Sequence, residues 1–423
     1  MGFVTSINSA GSHYGQPDPG GSGFYLDWIT DAMRSRVTDP DSLPAAPKER
    51  RRILWITDTL GAGGAERLVE TGVRLCVEAG HKVWLWALQK PADGNWTMSE
   101  TGGVEVGYGD PNACVRLCRA QKIEVAFLSN FAGSGMVEKL DKAGVACIGI
   151  PYGFVEWNLR RIAVPGVRDH LAAVWAYQNI GAGLLEKGYD FPTYRFLAPI
   201  DLDDYDISEM RQWGPPWRIA YCGRMSNEKN LAALLRVFQR VQEKTTDKCI
   251  LHVIGGVDPH SPVPHQEYWA ACEKRFHDDP LYIQLQNQDA IAAHGYVSGL
   301  EAIKQIMNCM HFLVLTSDFE GEPVVFLEAA ALGTLCVGRR MSENVPLLDG
   351  CGILSAPKTE RMSTVEVEDM ADKIVATMRR PADDYYRMAG EARRRVAKEH
   401  DGPVWLARLE RIVADVLRRR VEG

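Results

Sequence analysis

No stretch of this 423-residue chain stays apolar for anything near the ~18 residues of a membrane span. The longest such runs, HFLVL before Thr316 among them, are strand-sized. A basic excess is missing too. Lys and Arg number 48 against 55 for Asp and Glu, a formal charge of −7, whereas nucleic-acid binding calls for a basic face. The opening MGFVTSINSAGSHYGQ has neither a basic stretch nor an apolar core, so a secretory leader is not expected. The ten cysteines come singly, mostly in apolar settings such as YCGR and TLCVG, where cysteine acts as a small buried hydrophobe. Cys114 and Cys118 share helical spacing without a second Cys or His pair, so no zinc site is expected. His260 and His265 lie in DPHSPVPHQE, the composition of an exposed loop. With 46% apolar and 24% charged residues, disorder is excluded as well. What remains is a cytoplasmic globular protein too long for one hydrophobic core.

Residues 1–50 are rich in Gly, Ser, Pro and Asp and read as an extension in which only FYLDWITDAMRSRV suits an amphipathic helix. From Arg52 strands and helices alternate. RILWITD is a buried-strand run, and AERLVETGVRLCVEAG carries Leu68, Val69, Val73, Leu75, Cys76 and Ala79 at helical spacing. Such alternation predicts an α/β fold with a parallel sheet covered on both faces. The acidic and then Pro-rich DLDDYDISEMRQWGPPW reads as a linker. A second alternating set follows, opening with WRIAYCGR. The last helix, PVWLARLERIVADVLRRR, bears a docking stripe of Trp405, Leu409, Ile412, Val413 and Val416. The predicted organisation is an extension over 1–50, one Rossmann-like domain over 51–205, a second over 206–385, and C-terminal helices over 386–423 that pack back across the domains.

Ligands of open α/β sheets bind beyond the C-terminal strand ends, where helix N-termini offer free N–H groups. Three segments fall there. TDTLGAGGAE contains Gly61, Gly63 and Gly64, which allow close backbone approach to a phosphate or sugar. The spacing is neither a dinucleotide fingerprint nor a P-loop, and a tight turn without a ligand is an equal reading. In GRMSNEKN, Arg224 and Lys229 precede a helix whose dipole opposes them, which makes sense if an anion lies between them. Two solvated charges are the plainer alternative. In SDFEGEPVVFLEA, Glu328 lies inside an apolar helix, where a carboxylate needs a partner, and vicinal sugar hydroxyls would serve. Helix-start preference explains Glu320 and Glu322 but not Glu328.

Together GAGGAERLVETGVRLCVEAGHKV, YCGRMSNEKNLAALLRVF and LTSDFEGEPVVFLEAAALGTLCV resemble, in order and separation, the retaining nucleotide-sugar-dependent glycosyltransferases of the GT-B fold, family 4. The resemblance spans roughly residues 52–417. It implies two Rossmann-like domains facing across a cleft, with the C-terminal helix returning to the first. The donor, a UDP- or GDP-linked sugar, would sit on the second domain, and a glycan or lipid-linked acceptor of polysaccharide biosynthesis on the first. Arg224 and Lys229 would neutralise the departing diphosphate. Glu320, with the amides of Gly321, Glu322, Pro323, Val324 and Val325, would position the hexose, and Glu328 would hold the ribose. The base would pack near Gly295 and Tyr296, while Gly61, Gly63 and Gly64 would approach the diphosphate or acceptor. No metal and no other cofactor is implied.

Departures from that family pattern leave some roles open. Where many relatives carry a first-domain His, this chain has FLSNFAGSG with Asn130. Either Asn130 or the isolated His170 could take that role, and a structural role fits both equally. Ala198-Pro199-Ile200-Asp201 replaces a common Asn-Gly-Val-Asp, and Glu322 stands where Phe is usual. Trp84, Trp86, Trp96, Trp157 and Trp175 suit core packing better than a sugar platform. Arg418, Arg419 and Arg420 suit a helix C-terminus, with peripheral contact to an anionic inner membrane face as the second reading. The alternatives to a transferase are a catalytically silent nucleotide-sugar-binding partner and a sugar-nucleotide epimerase.

Overall fold

The computed structural model describes residues 30–60, 64–89, 104–152, 155–206, 212–258 and 263–422. Seven parallel strands form the first sheet: β1 Arg52–Thr57, β2 Lys82–Ala87, β3 Glu105–Tyr108, β4 Val125–Ser129, β5 Ala146–Ile150, β6 Ala173–Ala176 and β7 Thr193–Arg195. Their order, β3-β2-β1-β4-β5-β6-β7, reverses between β1 and β4. Six more form the second: β8 Trp217–Cys222, β9 Cys249–Ile254, β10 Ile291–Gly295, β11 Phe312–Leu315, β12 Leu335–Arg340 and β13 Ile353–Pro357. Here the order β10-β9-β8-β11-β12-β13 reverses between β8 and β11. All pairings in both sheets are parallel. Each domain thus has a switch point at which ligands of doubly wound sheets bind.

The sheets form because their strands are buried on both sides. β4, β5 and β11 are buried at every residue, which suits runs such as VAFLS and FLVL. The Gly64–Glu78 helix buries Leu68, Val69, Val73, Leu75 and Cys76 as its spacing predicts. Ala79 is exposed instead, because the helix stops at Glu78 and the chain turns through Gly80 at φ +84°. Nine of the ten cysteines are buried and all are free. Trp84, Trp86 and Trp175 belong to the core. Trp96 and the side chain of Trp157 lie outside the described residues.

The Ala382–Glu399 helix packs on the second domain's Val324–Ala331 helix. The chain then crosses, and Gly402–Glu422 packs on Gly64–Glu78 of the first domain. Trp405 anchors that return, with its ring 6.4 Å from Trp55 and 5.3 Å from Trp175. Burial of one such ring is worth about 4–6 kcal/mol by area. At the crossing, Ile200 bridges Asp401, and His400 Nδ1 lies 3.0 Å from the Ala198 carbonyl. The described part of the extension also docks. Thr38 bridges Tyr194 on β7, and Asp41 accepts from Arg408 and Arg411 of the last helix. Within it Asp31–Arg34 is α-helical and Pro40–Ser42 forms a short 3-10 turn.

Candidate active site

The segment after β8 runs Gly223–Asn230 to the helix Leu231–Lys244. Gly223 donates to the Ile254 carbonyl, and a Cβ on Gly255 would lie 2.0 Å from the Gly223 oxygen, so the loops after β8 and β9 touch through backbone. Lys229 ends a short turn, Asn227–Lys229, and Asn230 adopts φ +50° before the helix begins. Both cations therefore stand in the loop ahead of the helix. Lys229 Nζ donates to both oxygens of Glu320, at 2.7 and 2.9 Å. Arg224 lies 5.4 Å over the Trp269 ring. Its backbone oxygen accepts from the Tyr221 hydroxyl at 2.5 Å.

The loop after β11 is tied to this segment. Thr316 Oγ1 donates to the Asn230 carbonyl, Asp318 N to the Glu228 carbonyl, and Asn230 Nδ2 to Asp318 Oδ1. Behind it stands Arg339, 0% exposed, which donates to Asp318 at 2.7 Å and Glu366 at 2.9 Å. Glu366 also closes a capping box with Ser363, so one carboxylate starts a helix and neutralises a buried guanidinium. Gly321 presses on the first domain, since a Cβ there would lie 2.3 Å from the Tyr152 oxygen. Pro323 precedes the helix Val324–Ala331, in which Val324 and Val325 are partly buried.

Glu328 is buried within that helix, and its partners come from outside the second sheet. Arg67 Nη1 donates to Oε1 at 2.6 Å and the Tyr205 hydroxyl at 3.2 Å. Next to Arg67, Glu66 accepts from Thr59 Oγ1 at 3.2 Å. Desolvation pushes the Glu66 carboxyl up, while the Arg224 guanidinium across the cleft acts in the opposite sense. First-domain and second-domain charges therefore share one cleft.

Among the residues singled out by sequence, Arg224, Lys229, Glu320 and Glu328 come together at the ends of β8 and β11. Gly64 begins the facing helix and is exposed, with open space where a Cβ would stand. Gly61 and Gly63 lie outside the described residues. Gly295 at φ +65° accepts from Gly255 N, which brings the end of β10 to the same loops. Tyr296 follows it, its hydroxyl raised to about 12 by burial and Asp258.

Glu322 is not turned to this cluster. It accepts from Ala198 N at 2.7 Å and lies 3.9 Å from His400 Nε2, at the domain crossing. Asn130 sits at φ +51° beyond β4. Its Oδ1 accepts from Tyr152 N and its carbonyl from Arg161, so the side chain shapes a turn. His170 precedes β6 and pairs with Asp141 at 2.7 Å, at the N-terminal edge of the sheet, opposite the cleft. Of the two readings left open for His170, this placement fits the structural one. Arg418 and Arg419 pair with Asp415 within the last helix, and Arg420 reaches Asp141 of the first domain, so Arg420 ties that helix to the body. Sequence reasoning passed over Glu66, Arg67, Tyr205, Asp318 and Arg339. Glu66, Arg67 and Asp318 carried a signal, lying in or next to the segments singled out, whereas Tyr205 and Arg339 did not.

Residues 216–380 match the family model for glycosyl transferases group 1. Over that span the chain is similar to a group 1 glycosyltransferase domain. Solved structures extend the likeness to both domains, and the fold is GT-B. A glycosyltransferase from Rickettsia africae is 14% identical with a TM-score of 0.67, over 88% of this chain and 99% of that one. HepE of Anabaena, in complex with UDP and glucose, is 15% identical with a TM-score of 0.63 over the same shares. Sucrose-phosphate synthase from Thermosynechococcus elongatus is 15% identical, with a TM-score of 0.63, again over 88% and 99%. No curated protein matches the chain. Among the described residues, no helix is long and apolar enough to cross a membrane.

Proposed function

We propose that this glycosyltransferase moves a hexose, with retention and without a metal, from a UDP- or GDP-linked sugar to a hydroxyl of a glycan or lipid-linked acceptor in the cytoplasm. The observation that carries the reading is the gathering of Arg224, Lys229, Glu320 and Glu328 at the switch point of the second sheet, facing Gly64–Arg67 of the first domain. In the reaction the bond from the anomeric carbon to the diphosphate breaks with its electrons on the leaving oxygen. The acceptor oxygen bonds the same carbon on the same face, and its proton passes to the departing phosphate. Arg224 and Lys229 neutralise the charge that develops, a task worth about 2.7–4 kcal/mol for a single well-placed donor. Glu320 positions the hexose hydroxyls and Glu328 the nucleoside's sugar. The UDP of the Anabaena structure and the group 1 match favour this donor class.

Calorimetric titration with UDP, GDP and their sugar conjugates tests the reading. A response to one nucleotide, lost in Arg224→Ala, supports it. Binding to none removes its basis. Transfer that falls in EDTA and returns with a divalent cation would overturn the metal-free part.

A further inference from the structure

The carboxylate that the proposed function assigns to the nucleoside's sugar is already taken. Glu328 Oε1 receives a charged donor, Arg67 Nη1 at 2.6 Å, and a neutral one, Tyr205 at 3.2 Å. The pair spans the cleft: Arg67 belongs to the first turn of the Gly64–Glu78 helix and Glu328 to the Val324–Ala331 helix. It is shielded, the side chains being 25% and 10% exposed. Arg67 is held firmly charged there, chiefly by Glu328. With two donors already on Oε1, the carboxylate cannot offer both of its oxygens together to a pair of vicinal hydroxyls.

We infer that Arg67 is a specificity-determining residue of the donor site, competing with the vicinal hydroxyls of the nucleoside's sugar for Glu328. This rests on the proposed assignment of Glu328. Donor arrival exchanges one bond from a charged donor for two from uncharged hydroxyls, so only a sugar presenting both hydroxyls replaces what Arg67 supplied. A nucleotide lacking one of them binds without releasing Arg67, through its diphosphate alone. Because Arg67 and Glu328 lie on different domains, the exchange also loosens one tie across the cleft as the donor enters.

The test is calorimetric titration of the full chain with UDP and GDP, and then with the 2′-deoxy form of whichever binds. The proteins are the wild type, Arg67→Ala, and Arg67→Met, which keeps the aliphatic stem should the alanine variant fold poorly. The ribonucleotide is expected to bind roughly tenfold tighter to the variants, the worth of one charged hydrogen bond. The deoxynucleotide is expected to change little. Equal gains for both forms would show that Arg67 only restrains the domains, and would overturn the inference. So would ribonucleotide affinity that is unchanged or weaker in the variants. In either case the donor-site reading survives, because the wild type still binds. No nucleotide binding by any of the three proteins removes that reading and the inference with it.

Discussion

Both oxygens of Glu320 are held by the Lys229 ammonium, at 2.7 and 2.9 Å, in a pair whose side chains are 8% and 18% exposed. Removing the lysine strands a buried carboxylate, which costs about 3–5 kcal/mol when a buried pair is broken. Lys229→Ala is therefore expected to melt well below wild type and to lose transfer by about 10²–10³-fold. The double variant Lys229→Met/Glu320→Gln recovers much of the melting temperature without recovering activity. Wild-type rates in Lys229→Ala would sink its assignment to the leaving group.

Arg224 differs, since its guanidinium rests on the Trp269 ring at the cleft rather than inside the fold. Arg224→Ala should forfeit that contact, about 0.5–2 kcal/mol of stability, while abolishing nucleotide binding. Trp269→Leu removes a contact worth about 0.5–2 kcal/mol, and its loss of kcat/KM should be the smaller. Comparing kcat/KM in the two variants with their thermal melts checks both statements.

Glu322 supplies a pH dependence. Desolvation raises its carboxyl above the ordinary 4.5, opposed by His400, Arg195 and Arg408. A raised value means that the folded chain holds the proton more firmly than the unfolded one. Its contribution to stability is thus fully present below about 4.5 and lost as the pH rises through the raised value. Glu322→Gln keeps an acceptor for Ala198 N and should melt higher than wild type at neutral pH, with the gap closing in acid. A lower melting temperature at neutral pH would mean that the charged form, paired with His400, is the stabilising one.

Gly72 marks where the last helix meets the first domain: a Cβ there would lie 2.9 Å from Trp405 and 3.2 Å from Trp55. Gly72→Val overfills this contact and is expected to cost about 1–3 kcal/mol, read as a lower urea midpoint. Trp405→Leu should partly rescue it by making room. If Gly72→Val is neutral, the helix is not seated as described.

The sequence by itself determined the elements and most of the charged groups that the fold gathers at the second sheet. Continuous apolar runs such as RILWIT and FLVL are buried on both faces, and only a parallel sheet between helices does that. Arg224, Lys229, Glu320 and Glu328 were legible because each breaks a local rule: cations ahead of a helix, a carboxylate inside one. Tertiary structure alone decided which groups answer them. Arg67 and Tyr205 reach Glu328 from 261 and 123 residues away, and no local pattern encodes a distance in space. It decided likewise that Glu322 faces the domain crossing and His170 the far edge of the sheet, because the direction of a side chain follows from packing. A buried charge announces in the sequence that it needs a partner, but only the fold supplies the partner's identity.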